Sequence, residues 1–412
     1  MPRIAGIDLY ELDLPFRHPF RHAAAERVRS SSLFVRFVTD DGHQGYGETL
    51  PRPYVTGEAR DATFDLLAGS VLPRLIGMTF ASFAEVCEFL VRCDGQPPVD
   101  WVAPCGSHPA AWAAVDLALL DTFVRAFGTP LHAGLPGAVA GVPPAECWPP
   151  GLRFSLVLSG ETGPRALTTL LKARVYGIRD VKVKVDGRSS AGVRLARRVL
   201  GRRARIRVDC NMAWTYAEAR AAMPLLARDG VESFEQPLAA GDLTGLARLC
   251  AETGLAVIAD ESVHDAASLE RLIAARACTG VNVRIAKCGG LVAALARCRR
   301  ALAAGLTVQL GCLVGETSQL SAAQLVLVHT LGQGISNLEG CYGERLLARD
   351  PVHPLLQFQR GGRPPRAPRG AGFGTTVDMN FIERSSGRRL SLGAATPPVR
   401  VHAFSTREER PG

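Results

Sequence analysis

The chain has 412 residues, 47% of them hydrophobic and 21% charged, which is too long for one small domain and too apolar for a disordered chain. Lysine and arginine together number 48 against 39 acids, a formal charge of +9, yet only Lys172, Lys182, Lys184 and Lys287 are lysines and the other 44 are arginines. Arginine keeps its proton in a protein and lysine can release it, so those four positions stand out as candidates for proton chemistry.

Between Arg360 and Gly412 lie ten arginines and four acids, so much of the excess charge is C-terminal. A tail of this kind reads as a solvated end. No zinc-finger spacing, aromatic RNA-binding signature or helix-turn-helix pattern accompanies it, so no nucleic-acid partner is expected. No apolar leader core follows Met-Pro-Arg-Ile, and no run of 18 uncharged apolar residues indicates a membrane span. Eleven cysteines without paired spacing suggest reduced thiols in a cytoplasm. Cys210, Cys288 and Cys312 read as small buried filler.

In chain order, the first elements are strands. Ile4 to Leu14 and Ser32 to Thr39 alternate apolar and polar residues, with a turn at Asp40-Asp41-Gly42. A Pro- and Gly-rich loop covers Gly45 to Gly57, and from about Arg60 to Phe127 the pattern becomes helical and Ala-rich. Residues 1–130 therefore form an α+β unit, followed by a linker over 131–152.

From 153 to 360 short β-rich runs alternate with helical ones, the pattern of repeated βα units around a parallel sheet. The runs are Arg153–Ser159, Asp180–Val185, Ile206–Asp209, Val231–Glu235, Ala256–Asp260, Gly280–Lys287, Thr307–Cys312 and Ile335–Glu339. Eight such units close a TIM-type (β/α) barrel. The run ends Lys184, Asp209, Glu235, Asp260, Lys287, Cys312 and Glu339 are spaced by 25, 26, 25, 27, 25 and 27 residues. A barrel gathers its strand ends at one face, so five successive ionisable ends should converge there.

Three carboxylates alone would repel one another. Asp209, Glu235 and Asp260 therefore suggest a hard divalent cation, Mg²⁺ with Mn²⁺ as an alternative, with Asn211 and Glu261 as outer partners. Lys182 and Lys184 are two apart on one strand and face the same way. Lys287, read as the end of the sixth strand, would face Lys184 across the barrel axis. One lysine would then take a proton while the other gives one.

Lys182-Val-Lys184, Asp209-Cys-Asn211, Glu235-Gln-Pro237, Asp260-Glu261 and Lys287-Cys-Gly-Gly290 together resemble the enolase superfamily, and within it the muconate-lactonizing-enzyme subgroup that includes dipeptide epimerases. Asp41-Gly42, Gly45-Tyr-Gly47-Glu48 and Pro51 are similar to that family's capping domain, and Gly370-Ala-Gly372-Phe-Gly374 with Val377-Asp378 to its closing segment. The resemblance implies an enolase-like modified barrel under an α+β cap, with residues 361–412 returning to the cap before the basic tail. It implies Lys184 and Lys287 as acid/base groups, Lys182 as electrostatic support, Mg²⁺ on the three carboxylates and an enediolate intermediate. Relatives often form even-numbered homo-oligomers.

On this resemblance substrate choice rests on two cap loops, Phe16–His22 and Pro51–Thr56, and on strand ends seven and eight. Arg17, Arg21 and Arg52 become candidate anion anchors, Tyr54 a packing surface, and Glu316 and Glu339 contacts. Asn337-Leu-Glu339 replaces the Asp-x-Asp by which dipeptide epimerases grip an ammonium. The expected activity is racemisation or epimerisation of an amino-acid-derived, small-molecule carboxylate. The alternative is a muconate-type cycloisomerase or a dehydratase working by syn elimination. A purely binding role for the basic tail is the third reading.

Overall fold

The structure is a computed structural model describing residues 1–22, 25–103, 106–136, 148–149, 151–158, 162–185 and 190–393; the last residues of the basic tail lie outside it. Its centre is an eight-stranded, wholly parallel sheet whose strands follow one another in chain order. The strands are Leu156–Leu158, Asp180–Lys184, Arg205–Asp209, Val231–Glu235, Val257–Ala259, Gly280–Val283, Thr307–Leu310 and Ile335–Leu338. A parallel bridge from Phe154 to Leu338 joins first to eighth and closes the barrel. Buried β-branched residues such as Val181, Val183, Ile206, Val208 and Val281 pack one face of the strands, as the sequence pattern predicts.

The helices between strands are set by local signals. Thr215 and Glu218 form a reciprocal capping box at the start of Tyr216–Arg228, and Asp265 with Ser268 forms another before Ala266–Ala275. Glycines in left-handed conformation end Pro164–Tyr176 and Leu243–Thr253.

The cap is an antiparallel sheet of Ile4–Leu12, Ser32–Thr39 and Gln44–Thr49, with Ser386–Gly393 added beside the first strand. The C-terminal segment thus returns to the cap. The helix Pro109–Phe127 lies against this sheet and is buried over almost its whole length. Its small alanines allow that approach, and so do the cap glycines: a Cβ on Gly47 would lie 1.9 Å from the carbonyl oxygen of Ala114. The segment Phe16–His22, read as a loop, is instead part of a ribbon pairing Pro15–His22 with Ala25–Arg29.

Cap and barrel are locked by buried carboxylates at helix starts. Glu48 accepts from the backbone N–H and hydroxyl of Thr317 and from Leu320 N, at the head of Ser318–Leu331. Asp116 accepts from Leu291 N at 2.6 Å, at the head of Leu291–Ala303. Asp121 accepts from Tyr46 N and Phe373 N, tying the closing segment to the cap. The placements of Glu48 and Asp116 satisfy the unpaired amides of a helix terminus. The glycines of Lys287-Cys-Gly-Gly290 serve the same seam. A Cβ on Gly290 would lie 2.2 Å from Asp116 Cγ, and one on Gly289 would lie 1.9 Å from Gly95 O.

Candidate active site

A cavity of about 570 Å³ opens at the C-terminal ends of the barrel strands and is roofed by the cap. Phe20, Tyr54, Val55, Val157, Met212 and Leu313 give it a largely apolar wall. Its charged lining comes from Lys182, Lys184, Glu261, Arg284, Glu316, Glu339 and Arg345.

Lys182 and Lys184 share a face of the second strand, as their spacing predicts. Lys182 is enclosed among Asp209 at 3.0 Å, Glu235 at 2.8 Å and Glu339 at 3.3 Å. Burial alone would favour its neutral form, but these three carboxylates more than reverse that and hold it well above the ordinary lysine range. Lys182 is therefore a fixed positive charge. Lys184 donates to Asp209 Oδ2 at 3.0 Å and to Asn211 Oδ1 at 2.7 Å, and its side chain keeps 18% exposure against 3% for Lys182. Asn211, held at a positive φ, also donates to Glu261 Oε1, so it connects the lysine to the fifth strand end.

Asp209, Glu235 and Asp260 converge on three consecutive strand ends, each almost fully buried. Burial pushes each carboxyl up, but adjacent cations outweigh it and leave all three below the usual carboxylate range, Asp260 at about 2. Glu261 moves the other way, to about 7, through burial and then the charge of Asp260.

The sixth strand differs from the expectation. It ends at Val283, and Lys287 sits beyond it in the short helix Ile285–Cys288. Lys287 is wholly buried, does not line the cavity, and donates to Asp260 O and Oδ1, both at 2.6 Å, and to Asn282 O at 2.9 Å. The chain turns just beyond it at Gly289 and Gly290, which pack against Gly95 and Asp116. Arg284 holds the cavity-facing position instead, bonded to Asp260 Oδ2 and 3.8 Å from Glu235. Burial would lower its pKa, but Asp260 and Glu235 raise it above the ordinary arginine value. The signal for Arg284 was present in Asn282-Val283-Arg284, an alternation that mirrors Lys182-Val183-Lys184.

The remaining expected contacts separate. Glu316 lines the cavity, accepts from Leu313 N at 2.6 Å, and is pushed by burial up to about 8. Glu339 lines it too, with one oxygen toward Lys182 and the other 3.2 Å from Arg207. Tyr54 is half-exposed at the rim. The side chain of Arg21 lies outside the described residues. Arg52 is no substrate anchor: its guanidinium donates to the carbonyls of Ser30, Ser31, Pro51 and Val314. Arg17 is likewise held by Leu347 O, Ala348 O and Glu344. Residues the sequence did not single out include Asn282 and Gln309, which donate to Glu235 at 2.8 and 2.6 Å. Burial raises the pKa of the Cys210, Cys288 and Cys312 thiols, which disfavours the thiolate form.

Hard carboxylate oxygens are the right kind of donor for Mg²⁺. In this arrangement, however, every one of the six triad oxygens already accepts from the protein. Asp209 Oδ1 takes Asn211 N and Oδ2 takes both strand-two lysines. Glu235 takes Lys182, Asn282 and Gln309, and Asp260 takes Lys287 and Arg284. Four protein cations surround three anions, and among the described residues no group of three or more ligands is placed to hold an ion. The triad as arranged does not fit a divalent cation.

A closed parallel barrel with a cap sheet and a lysine–carboxylate cluster at its C-terminal mouth defines a barrel enzyme of the enolase type. The Enolase C-terminal domain-like family matches residues 166–381, and the Mandelate racemase / muconate lactonizing enzyme N-terminal domain matches residues 7–135. The chain belongs to this mandelate racemase/muconate lactonizing enzyme family of the enolase superfamily, and it is an enzyme. It is 26% identical to the L-Ala-D/L-Glu epimerase of Clostridium acetobutylicum over 328 residues, covering 78% of this chain and 86% of that one. It is 27% identical to the chloromuconate cycloisomerase of Pseudomonas putida over 389 residues, covering 92% and 98%. The structure of the Cytophaga hutchinsonii dipeptide epimerase, complexed with Mg and D-Ala-L-Val, superposes with a TM-score of 0.79 at 24% identity, covering 94% of this chain and 99% of that one. No helix among the described residues is long and apolar enough to cross a membrane.

Proposed function

We propose that the protein removes a proton α to a substrate carboxylate with Lys184 as the only lysine base, and that the proton returns or is lost on that same face. The observation that carries this is Arg284 at the sixth strand end, with Lys287 buried behind it. In an eight-stranded barrel the second and sixth strands face each other, so the substrate lies between Lys184 and Arg284. Arginine does not give up its proton at working pH. Its charge, with that of Lys182, would stabilise the electron pair that moves into the carboxylate as the C–H bond breaks and the Lys184 N–H bond forms. One-face chemistry suits cycloisomerisation or syn elimination; relatives that cover 92% of this chain carry both a cycloisomerase and an epimerase name.

A second reading is supported by Glu316. Its carboxyl, pushed up to about 8, stays protonated near neutral pH and lines the same cavity. It would supply a proton to the face away from Lys184 and give an epimerase, the activity named for the Clostridium acetobutylicum relative. Screening dipeptides, N-acyl amino acids and unsaturated or hydroxylated carboxylates identifies a turned-over compound, on which Lys184→Ala and Glu316→Gln are compared. The first reading expects Lys184→Ala to abolish turnover and Glu316→Gln to retain it. Turnover by Lys184→Ala would sink both readings, and selective loss of inverted product in Glu316→Gln would establish the second.

A further inference from the structure

We propose that Arg284 is the resident counter-ion of the carboxylate triad and excludes a divalent cation from Asp260 while it is seated there. A metal ion and the guanidinium would compete for the same oxygen, Asp260 Oδ2, with like charges brought together there.

The four cations around the triad are not equally fixed. Lys287 is wholly enclosed and satisfied by three oxygens. Lys182 is satisfied by three carboxylates. Lys184 bonds Asp209 and Asn211, leaving Asp260 untouched. Arg284 is the exception. It shares the cavity wall with Lys182 and Lys184, so it has somewhere to go, but unlike them it has a buried nitrogen, Nε, without a partner among the described residues. A guanidinium with an unsatisfied buried donor is held by charge more than by complete hydrogen bonding. Glu261, next to Asp260 in sequence and interacting by charge with both Asp260 and Arg284, also has a buried Oε2 without a partner among the described residues. The place of Arg284 thus has the makings of an exchange site, with Asp260 Oδ2 as the freed acceptor and Glu261 Oε2 as one already open.

Charge sets the direction of the effect. With Arg284 seated, an incoming doubly charged ion meets four protein cations within reach of three anions. Once Arg284 has swung into the cavity, Asp260 is left with Lys287 alone. The site then takes a hard cation only in exchange for the guanidinium, and a substrate carboxylate in the cavity would help by receiving it.

Mn²⁺ titration followed by electron paramagnetic resonance, on full-length protein without substrate, tests this independently of turnover. The account expects Arg284→Gln to bind Mn²⁺ at least tenfold more tightly than the unaltered protein, with Arg284→Lys, which keeps the charge but not the reach, in between. Asp260→Asn should abolish the gain in the Arg284→Gln background. Circular dichroism confirms that each variant is folded; if Arg284→Gln is not, the comparison rests on Arg284→Lys. Equal Mn²⁺ affinity in the unaltered protein and the folded Arg284 variants would overturn the proposal, whatever the fate of the single-base mechanism.

Discussion

Replacing Lys287 by methionine separates a structural cation from a catalytic one. The substitution keeps length and apolar bulk and removes only the ammonium. In the folded protein that ammonium is wholly buried and bonded to Asp260 O, Asp260 Oδ1 and Asn282 O, at 2.6, 2.6 and 2.9 Å. Removing one member of a buried ion pair costs about 3–5 kcal/mol, because the other charge stays behind in a low-dielectric site. Arg284 still faces Asp260, which places the expected loss toward the lower end. A unit the size of this barrel loses about 2–4 °C per kcal/mol, so the melting midpoint should fall by about 6–12 °C. Differential scanning calorimetry and urea unfolding measure this directly. A variant with an unchanged midpoint and abolished turnover would refute the assignment and return Lys287 to the cavity as an acid or base.

Gly290→Ala should loosen the seam between cap and barrel. Its Cβ would lie 2.2 Å from Asp116 Cγ at a φ of +121°, so a loss of about 2–4 kcal/mol is expected in urea unfolding, against about 1 kcal/mol for Gly42→Ala, where nothing lies within 4 Å. Asp116 gives a pH dependence. Burial raises its folded pKa from 3.8 to about 7, so its contribution is complete below pH 4 and is lost as pH rises through 7. Urea midpoints at pH 5 and 8 should therefore fall more for the unaltered protein than for Asp116→Asn; equal falls would contradict this. Arg52→Ala should lower stability by about 2–4 kcal/mol, since it strips donors from four carbonyls, while changing KM little. A large rise in KM with unchanged stability would restore Arg52 as a substrate anchor.

The barrel was legible because its signals are local. β-Branched runs at regular spacing mark strands, and Lys182 with Lys184 two residues apart can face only one side of a strand. The carboxylates followed, because strand ends converge in a barrel whatever the intervening loops do. Lys287 was misplaced because its position depends on the cap. Gly289 and Gly290 turn the chain where Gly95 and Asp116 press against it, and the bond that Leu291 N donates to Asp116 spans 175 residues of sequence. Arg284 was overlooked because scarcity of lysine, read as a filter for proton chemistry, draws attention to Lys287 three residues on and away from an arginine at a strand end. Arg52 failed in the opposite sense: it resembles an anion anchor until the fold brings the carbonyl of Val314 to it across 262 residues. In the glycine-rich cap and closing motifs, Gly47 is required by close packing against Ala114 and Gly372 by packing against Asp121, while Gly42 serves a positive φ with open space around it.

The most direct test of the central claim is the stereochemical fate of the α-hydrogen. A turned-over carboxylate is incubated in D₂O with the unaltered protein and followed by NMR together with chiral chromatography. With Lys184 as the only base, deuterium should enter the α-position, or the hydrogen should be lost, with configuration at recovered substrate retained. Recovery of substrate with inverted configuration and deuterium at the α-carbon would contradict the single-base account and require a proton donor opposite Lys184.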